Sequence, residues 1–139
     1  MNTLNTWAFS KMVAIIAIVS AVINELLALV GRAVSAPPET FGPYMASSVV
    51  GLTLVGVVGA GIVYWGMRRW CAKDVAQINR RFIILSVVLL VLSFYPDVAL
   101  PWSTDPDQVG WTYGIMANLM LMHVVAAGLV MYYFTKKTA

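Results

Sequence analysis

Charge is scarce in this chain, and so are cysteine and histidine. Charged residues make up 11% of its 139 positions against 60% hydrophobic ones. A soluble domain of this length could not cover its surface with so few charges, so the composition calls for a bilayer. A lone cysteine, Cys71, excludes an intrachain disulfide and a Cys-x-x-Cys redox pair, and with them the membrane thiol oxidoreductases. A lone histidine, His123, cannot build a bis-His haem or a zinc site, so a metal would need Glu25 or Asp97 as co-ligands. Ser86 and Ser93 have no assignable His and Asp partners, and no Gly-rich phosphate loop occurs. These absences lean away from an enzyme, and no residue pattern names a cofactor. No lipidation signature, internal repeat or soluble domain is visible either.

What is abundant is long apolar sequence. Mean hydropathy is +0.82, concentrated in four runs over residues 12–34, 45–67, 82–100 and 111–134. Each is close to the roughly 20 residues that cross about 30 Å of hydrocarbon. Each should be a helix, because lipid forces every backbone N–H and C=O to find a partner in its own segment, and the alternation of an outer-membrane strand is missing. The expected fold is therefore an all-α membrane protein, a single four-helix transmembrane bundle. The first run is longer than the apolar core of a signal peptide and lacks a clean cleavage site, residues 33–36 being a weak one, so it is expected to stay as a span.

Basic residues set the expected orientation. Lys11, Arg68, Arg69, Lys73, Arg80, Arg81, Lys136 and Lys137 fall on one side of the four spans and only Arg32 on the other. Eight against one places both termini and the middle loop in the cytoplasm, N-in and C-in, in a bacterial cytoplasmic (inner) membrane. The net charge of +3 and a pI near 9.2 do not imply nucleic acid, since the basic residues flank apolar runs rather than line a groove-binding element. Trp102, Trp111, Tyr44 and Tyr113 would form the outer aromatic belt, and Trp7, Trp65, Trp70, Tyr132 and Tyr133 the inner one.

The second run carries little side-chain bulk. Ser47 with Gly51 and Gly56 with Ala60 are small-xxx-small pairs that let another backbone come close, so this segment is expected to be the central packing helix. The other reading is a helix made thin to leave room for a ligand.

Candidate site residues are the polar ones that membranes usually exclude: Asn24, Glu25, Asp97, Asn118 and His123. A charged side chain at the bilayer centre costs at least about 2.5–3.5 kcal/mol on insertion scales, so each needs a partner or a task. Glu25 lies two turns before Arg32 on the same helical face, and Asn118 should share its depth. His123 lies deeper and Asp97 shallower. Pro96 removes a backbone hydrogen bond and should open the third helix near Leu92 and Ser93. Asp97 would then cap the broken end. Glu25 would be protonated or hydrogen-bonded to Asn118 or His123, in a polar cluster of the outer half closed on the cytoplasmic side by Ile15, Ile16, Val87 and Val88. Met116, Met120 and Met122 read as packing.

Three stretches carry a resemblance. Phe94, Tyr95, Pro96 and Asp97 end the third span, LMLMHVVAA occupies residues 119–127, and VGVVGA over residues 55–60 is followed by Arg68 and Arg69. Together they resemble a family of small bacterial four-helix membrane proteins catalogued only as a domain of unknown function. The resemblance covers nearly the whole chain and implies the same fold, with the recurring Pro-Asp and Met-His pairs falling on Asp97 and His123. It implies no activity. Small multidrug-resistance transporters also have four helices and a glutamate in the first, but this chain is longer and its charge bias fixes one orientation.

Two functions stay open at this point. One is a bundle that binds a hydrophobic small molecule or lipid, or serves as an accessory subunit of a larger membrane complex or a homo-oligomer. The other is a small-molecule or proton-coupled transporter using Glu25, Asp97 and His123, where burial and neighbouring groups would supply the protonation switch.

Overall fold

The computed structural model describes residues 5–71 and 74–137, so Lys73 of the basic set lies outside the described residues. Four helical segments are long and apolar enough to cross a membrane, Thr6–Ser35, Ala46–Trp70, Val75–Trp102 and Tyr113–Lys136, and no strand occurs among the described residues. The protein is an all-helical bundle of the kind composition demanded.

Helix α1 spans Thr6–Ser35, α2 Ala46–Trp70, α3 Val75–Ser93, α4 Tyr95–Ala99 and α5 Tyr113–Lys136. Their ends lie where caps and prolines put them, not where hydrophobicity stops. Asn5 accepts from Ala8 N at 3.1 Å, which starts α1 well before the apolar run at Met12. Pro37 and Pro38 follow its end, where Ala36 adopts a left-handed φ of 41° and donates its N–H back to Arg32 O. Thr112 caps α5 in the same way as Asn5, accepting from Ile115 N at 3.2 Å. The helix α3 begins two turns before its apolar run, taking Arg80 and Arg81 into the helix.

Pro96 does interrupt the third span. The chain breaks at Phe94, between α3 and the single turn and a half of α4, and then tightens into a 3-10 turn at Leu100–Trp102. Pro96 has no N–H for the carbonyl one turn earlier, and Ser93 Oγ donates to Leu90 O at 2.7 Å within that loosened turn.

Two cores lie one above the other. At the end carrying the basic residues, Phe9, Tyr64, Phe82 and Phe134 are all buried and pack ring on ring with centroids 4.9–5.9 Å apart. Such pairs are worth about 0.5–1.5 kcal/mol each, and they plug this end. Asn79, on α3, accepts from the Tyr64 hydroxyl at 2.7 Å and donates to Thr135 O at 3.0 Å, tying α2, α3 and α5 together. The expected closing residues behave differently: Ile16 is buried, but Ile15, Val87 and Val88 face outward. At the other end Phe41, Tyr44, Leu100 and Ile115 form the second core. There the two outer loops dock: Gly110, at a φ of +95°, approaches Pro38 so closely that a Cβ would come within 2.6 Å of its Cδ.

The packing is uneven. Helix α1 lies against α2 and α5, while α3 rests mainly on α5. Within α3 only Ile78 and Phe82, both toward the plugged end, are fully buried. The outer part of α3 therefore stands off from α2. Trp7, Trp70, Trp102 and Tyr113 are exposed as belt residues should be, whereas Tyr44 is buried and turned inward.

Candidate functional site: a groove between α2 and α3

The gap between α2 and α3 is a groove of about 440 Å³ floored by α5, in the lower part of the range of small-molecule sites, about 300–1,000 Å³. Gly56, Gly59 and Ala60 form its α2 wall, Leu85, Ser86 and Leu89 its α3 wall, and Ala126 and Ala127 its floor. The small residues of α2 explain the space. A Cβ added at Gly51, Gly56 or Gly59 would meet nothing within 4 Å, so no backbone has come close to them. The close approach expected of a packing helix occurs at Gly61 instead, where a Cβ would lie 2.9 Å from a Val13 methyl of α1. The thin face of α2 borders empty space.

The five polar residues read from the sequence fall into separate stations. Asn24, 4% exposed, reaches from α1 to the groove and donates through Nδ2 to Thr53 Oγ1 at 2.9 Å. Thr53 in turn donates to Val49 O at 2.7 Å. His123 also lines the groove, with its Nε2 3.3 Å from Asp97 Oδ2. That contact lacks the alignment of a hydrogen bond, and Asp97 Oδ2 is buried with no hydrogen-bond partner. Asp97 and His123 thus meet through their side-chain ends, and the Asp97 side chain does not cap α4. The ring of Phe94 meets His123 edge-on at 6.3 Å.

Glu25 and Asn118 do not line the groove. Glu25 faces Arg32 on its own helix, Oε1 to Nη1 4.0 Å apart, with its other oxygen buried and without a hydrogen bond. Asn118 donates to Tyr44 Oη at 2.9 Å and to Leu27 O at 3.0 Å, which joins α5, the turn before α2, and α1. Gly31 makes that knot feasible, since a Cβ there would collide with Asn118 Nδ2 and Tyr44 Oη. Tyr44 lies outside the spans; burial pushes its phenol up, more than the Asn118 hydrogen bond and the Arg32 charge pull it down. Glu25 is thus engaged with neither Asn118 nor His123, and the five residues do not share one cavity. Among the described residues no three His, Cys, Asp or Glu side chains converge as a metal site would need.

Sequence reasoning missed Thr53 and Tyr44, the partners that fix the two asparagines. The signal for Thr53 was its place on the stripe Val49, Thr53, Val57, Gly61 and Tyr64, the buried face of α2.

Residues 6–139 match the family model described as a family of unknown function, DUF6069. No curated protein and no solved structure matches the chain.

Proposed function

Since the chain belongs to the family of unknown function DUF6069, its role has to be reasoned from its own architecture, and we propose that it binds a hydrophobic small molecule or lipid in the groove between α2 and α3. The observation that carries this reading is the open glycine face. Helices in lipid associate through van der Waals contact, and small residues normally serve to bring two backbones together. Here Gly56 and Gly59 hold open a groove of about 440 Å³ instead. Its walls are mostly apolar, which suits an acyl or isoprenoid chain.

In this reading the protein lies in a bacterial cytoplasmic membrane with both termini inside. The basic bias supports that orientation: Lys11, Arg68, Arg69, Arg80, Arg81, Lys136 and Lys137 gather at the plugged end and Arg32 at the other. Proton-coupled transport is less well supported, because Glu25 is occupied with Arg32 while Asp97 and His123 form a pair elsewhere. The exposed apolar faces of the helices are what lipid contact requires and do not call for a protein partner.

Gly56→Leu tests the proposal, because a Cβ at this groove-lining position meets no neighbour and the longer side chain takes up groove space. Native mass spectrometry from mild detergent should find a retained lipid or other small molecule on the wild type and none on Gly56→Leu, with thermal stability preserved. A wild type released bare, or a variant that keeps its guest, would overturn it.

A further inference from the structure

Among the described residues, the one ionisable group on the groove wall is the His123 ring, with Asp97 behind it. His123 lies ten residues past Tyr113, the start of α5, roughly 15 Å along the axis and so near the middle of the hydrocarbon. Its side chain keeps 39% of its surface accessible, and its Nε2 lies 3.3 Å from Asp97 Oδ2. Turned over, the ring would set a C–H against Asp97 instead. Asp97 is buried and not part of the lining, so a guest meets the ring and not the carboxyl. Nδ1 makes no hydrogen bond among the described residues and is not one of their enclosed polar atoms, so it can be reached.

What Nδ1 offers follows from the charge of the pair. No Lys, Arg, Asp or Glu lines the groove, and Glu25 and Arg32 face each other on α1. Hydrocarbon therefore favours the Asp97–His123 pair with no net charge. Neutrality means one proton between the two groups besides the ring's own. Whether that proton rests on Oδ2 or on Nε2, the ring's own hydrogen is on Nδ1. The other neutral form, with hydrogen on Nε2 and none on Nδ1, would leave the acid hydrogen on Asp97 Oδ1, for which the described residues supply no acceptor.

From this we infer that the guest is a neutral lipid carrying a carbonyl oxygen, which accepts from His123 Nδ1 while its tail runs over Ala126, Ala127 and Val130 toward Phe82. This rests on the groove being a binding site, as proposed above. An N–H turned to bare hydrocarbon is costly, and a saturated alkane guest would leave it so. A carboxylate guest would bring a charge that the neutral pair does not answer. An ammonium guest would set its donors against the ring's own. An alcohol can accept too, but it brings a hydrogen that must find an acceptor in turn. Ser93 and Thr53 on the wall make no such demand, since they give their hydrogens to Leu90 O and Val49 O of their own helices. Asp97 is a positioning residue here: it holds the ring hydrogen at Nδ1 without touching the guest.

The test is displacement of radiolabelled 2-tridecanone from the purified full-length protein in mild detergent by unlabelled 2-tridecanone and by tridecane. The preference for ketone over alkane should be roughly tenfold larger on the wild type than on His123→Leu, the size of one hydrogen bond. Partition into the micelle cancels from that ratio. Because His123 is the only histidine, nitrogen-15 NMR of histidine-labelled protein reads its ring alone. It should show a hydrogen on Nδ1 whose signal moves with the ketone and not with tridecane; in Asp97→Leu that hydrogen should spread over both nitrogens. An equal preference in wild type and His123→Leu would sink the carbonyl assignment and leave the groove reading standing. No saturable binding of the ketone to the wild type would remove both. A bare Nδ1 in the wild type would overturn the assignment without any variant, and the spectra decide alone if His123→Leu fails to fold. An Nδ1 signal unchanged in Asp97→Leu would strip Asp97 of its positioning role.

Discussion

Gly31→Ala should destabilise the protein, whereas the same change at Gly51 should not. In a helix interior, alanine is favoured over glycine by about 1 kcal/mol, and both positions lie inside helices. At Gly51 that gain is unopposed, because nothing lies within 4 Å of the new methyl group. At Gly31 the methyl runs into Asn118 Nδ2 and Tyr44 Oη, the two atoms whose contact joins α5 to the turn at Gly42–Tyr44. Overpacking of this sort costs about 1–3 kcal/mol. Pushing Asn118 away also weakens its bonds to Tyr44 and to Leu27 O, at about 0.5–1.5 kcal/mol each. Setting the helix-propensity gain against these terms leaves a net loss of about 1–5 kcal/mol at Gly31. Circular dichroism in mixed micelles, with SDS as denaturant, would read both variants against the wild type. A second arm isolates the cause: on an Asn118→Ala background, where much of the obstruction is gone, adding Gly31→Ala should cost much less. Equal stability of Gly31→Ala and Gly51→Ala would refute the reasoning, as would a Gly31 penalty unchanged by removing Asn118.

Tyr44 and the Asp97–His123 pair carry further expectations. Burial raises the Tyr44 phenol above its ordinary 10.0, outweighing the Asn118 hydrogen bond and the Arg32 charge. Its contribution is therefore whole below pH 10 and lost as the pH climbs toward the raised native value, where the unfolded chain sheds the proton first. Alkaline unfolding curves of wild type and Tyr44→Phe should diverge only above about pH 10, the wild type losing more; parallel curves would contradict this. A double-mutant cycle of Asp97→Asn and His123→Gln should return a coupling of about 0.5–2 kcal/mol, as intramembrane polar contacts do. A coupling indistinguishable from zero would mean that the 3.3 Å approach contributes nothing.

The four spans were legible because hydrocarbon imposes length and apolarity on whatever crosses it, and the proline break in the third was legible because Pro96 lacks a donor. The helix ends were not, since hydropathy marks the hydrocarbon boundary while Asn5 and Thr112 set where the coil starts winding. Glu25 with Arg32 could be read from a spacing of two turns, an interaction internal to one helix. The partners of Asn24 and Asn118 lie on other elements, at Thr53 and Tyr44, and no local pattern encodes which helix stands next to which. Tyr44 looks like any belt aromatic in sequence and is instead one of the most buried side chains. The small residues of α2 carried two opposite meanings, close packing or open space, and only the placement of α3 decides between them. Asn79 stands beside Arg80 and Arg81, ahead of the third apolar run, where hydropathy gives no sign of the tie it makes between α2, α3 and α5.

The two polar pairs differ in when they can first exist. Glu25 and Arg32 belong to one helix, so α1 carries its own counter-ion into the bilayer and can be released by the insertion machinery as a unit with no net charge between those two residues. Asp97 has no such helper on its own segment; its companion His123 arrives only with α5. An acidic group at that depth would cost the third segment a few kcal/mol if left alone, and the sparse burial of α3 offers little in return. Entering lipid together as a hairpin would spare the last two spans that cost, since only then does Asp97 meet His123.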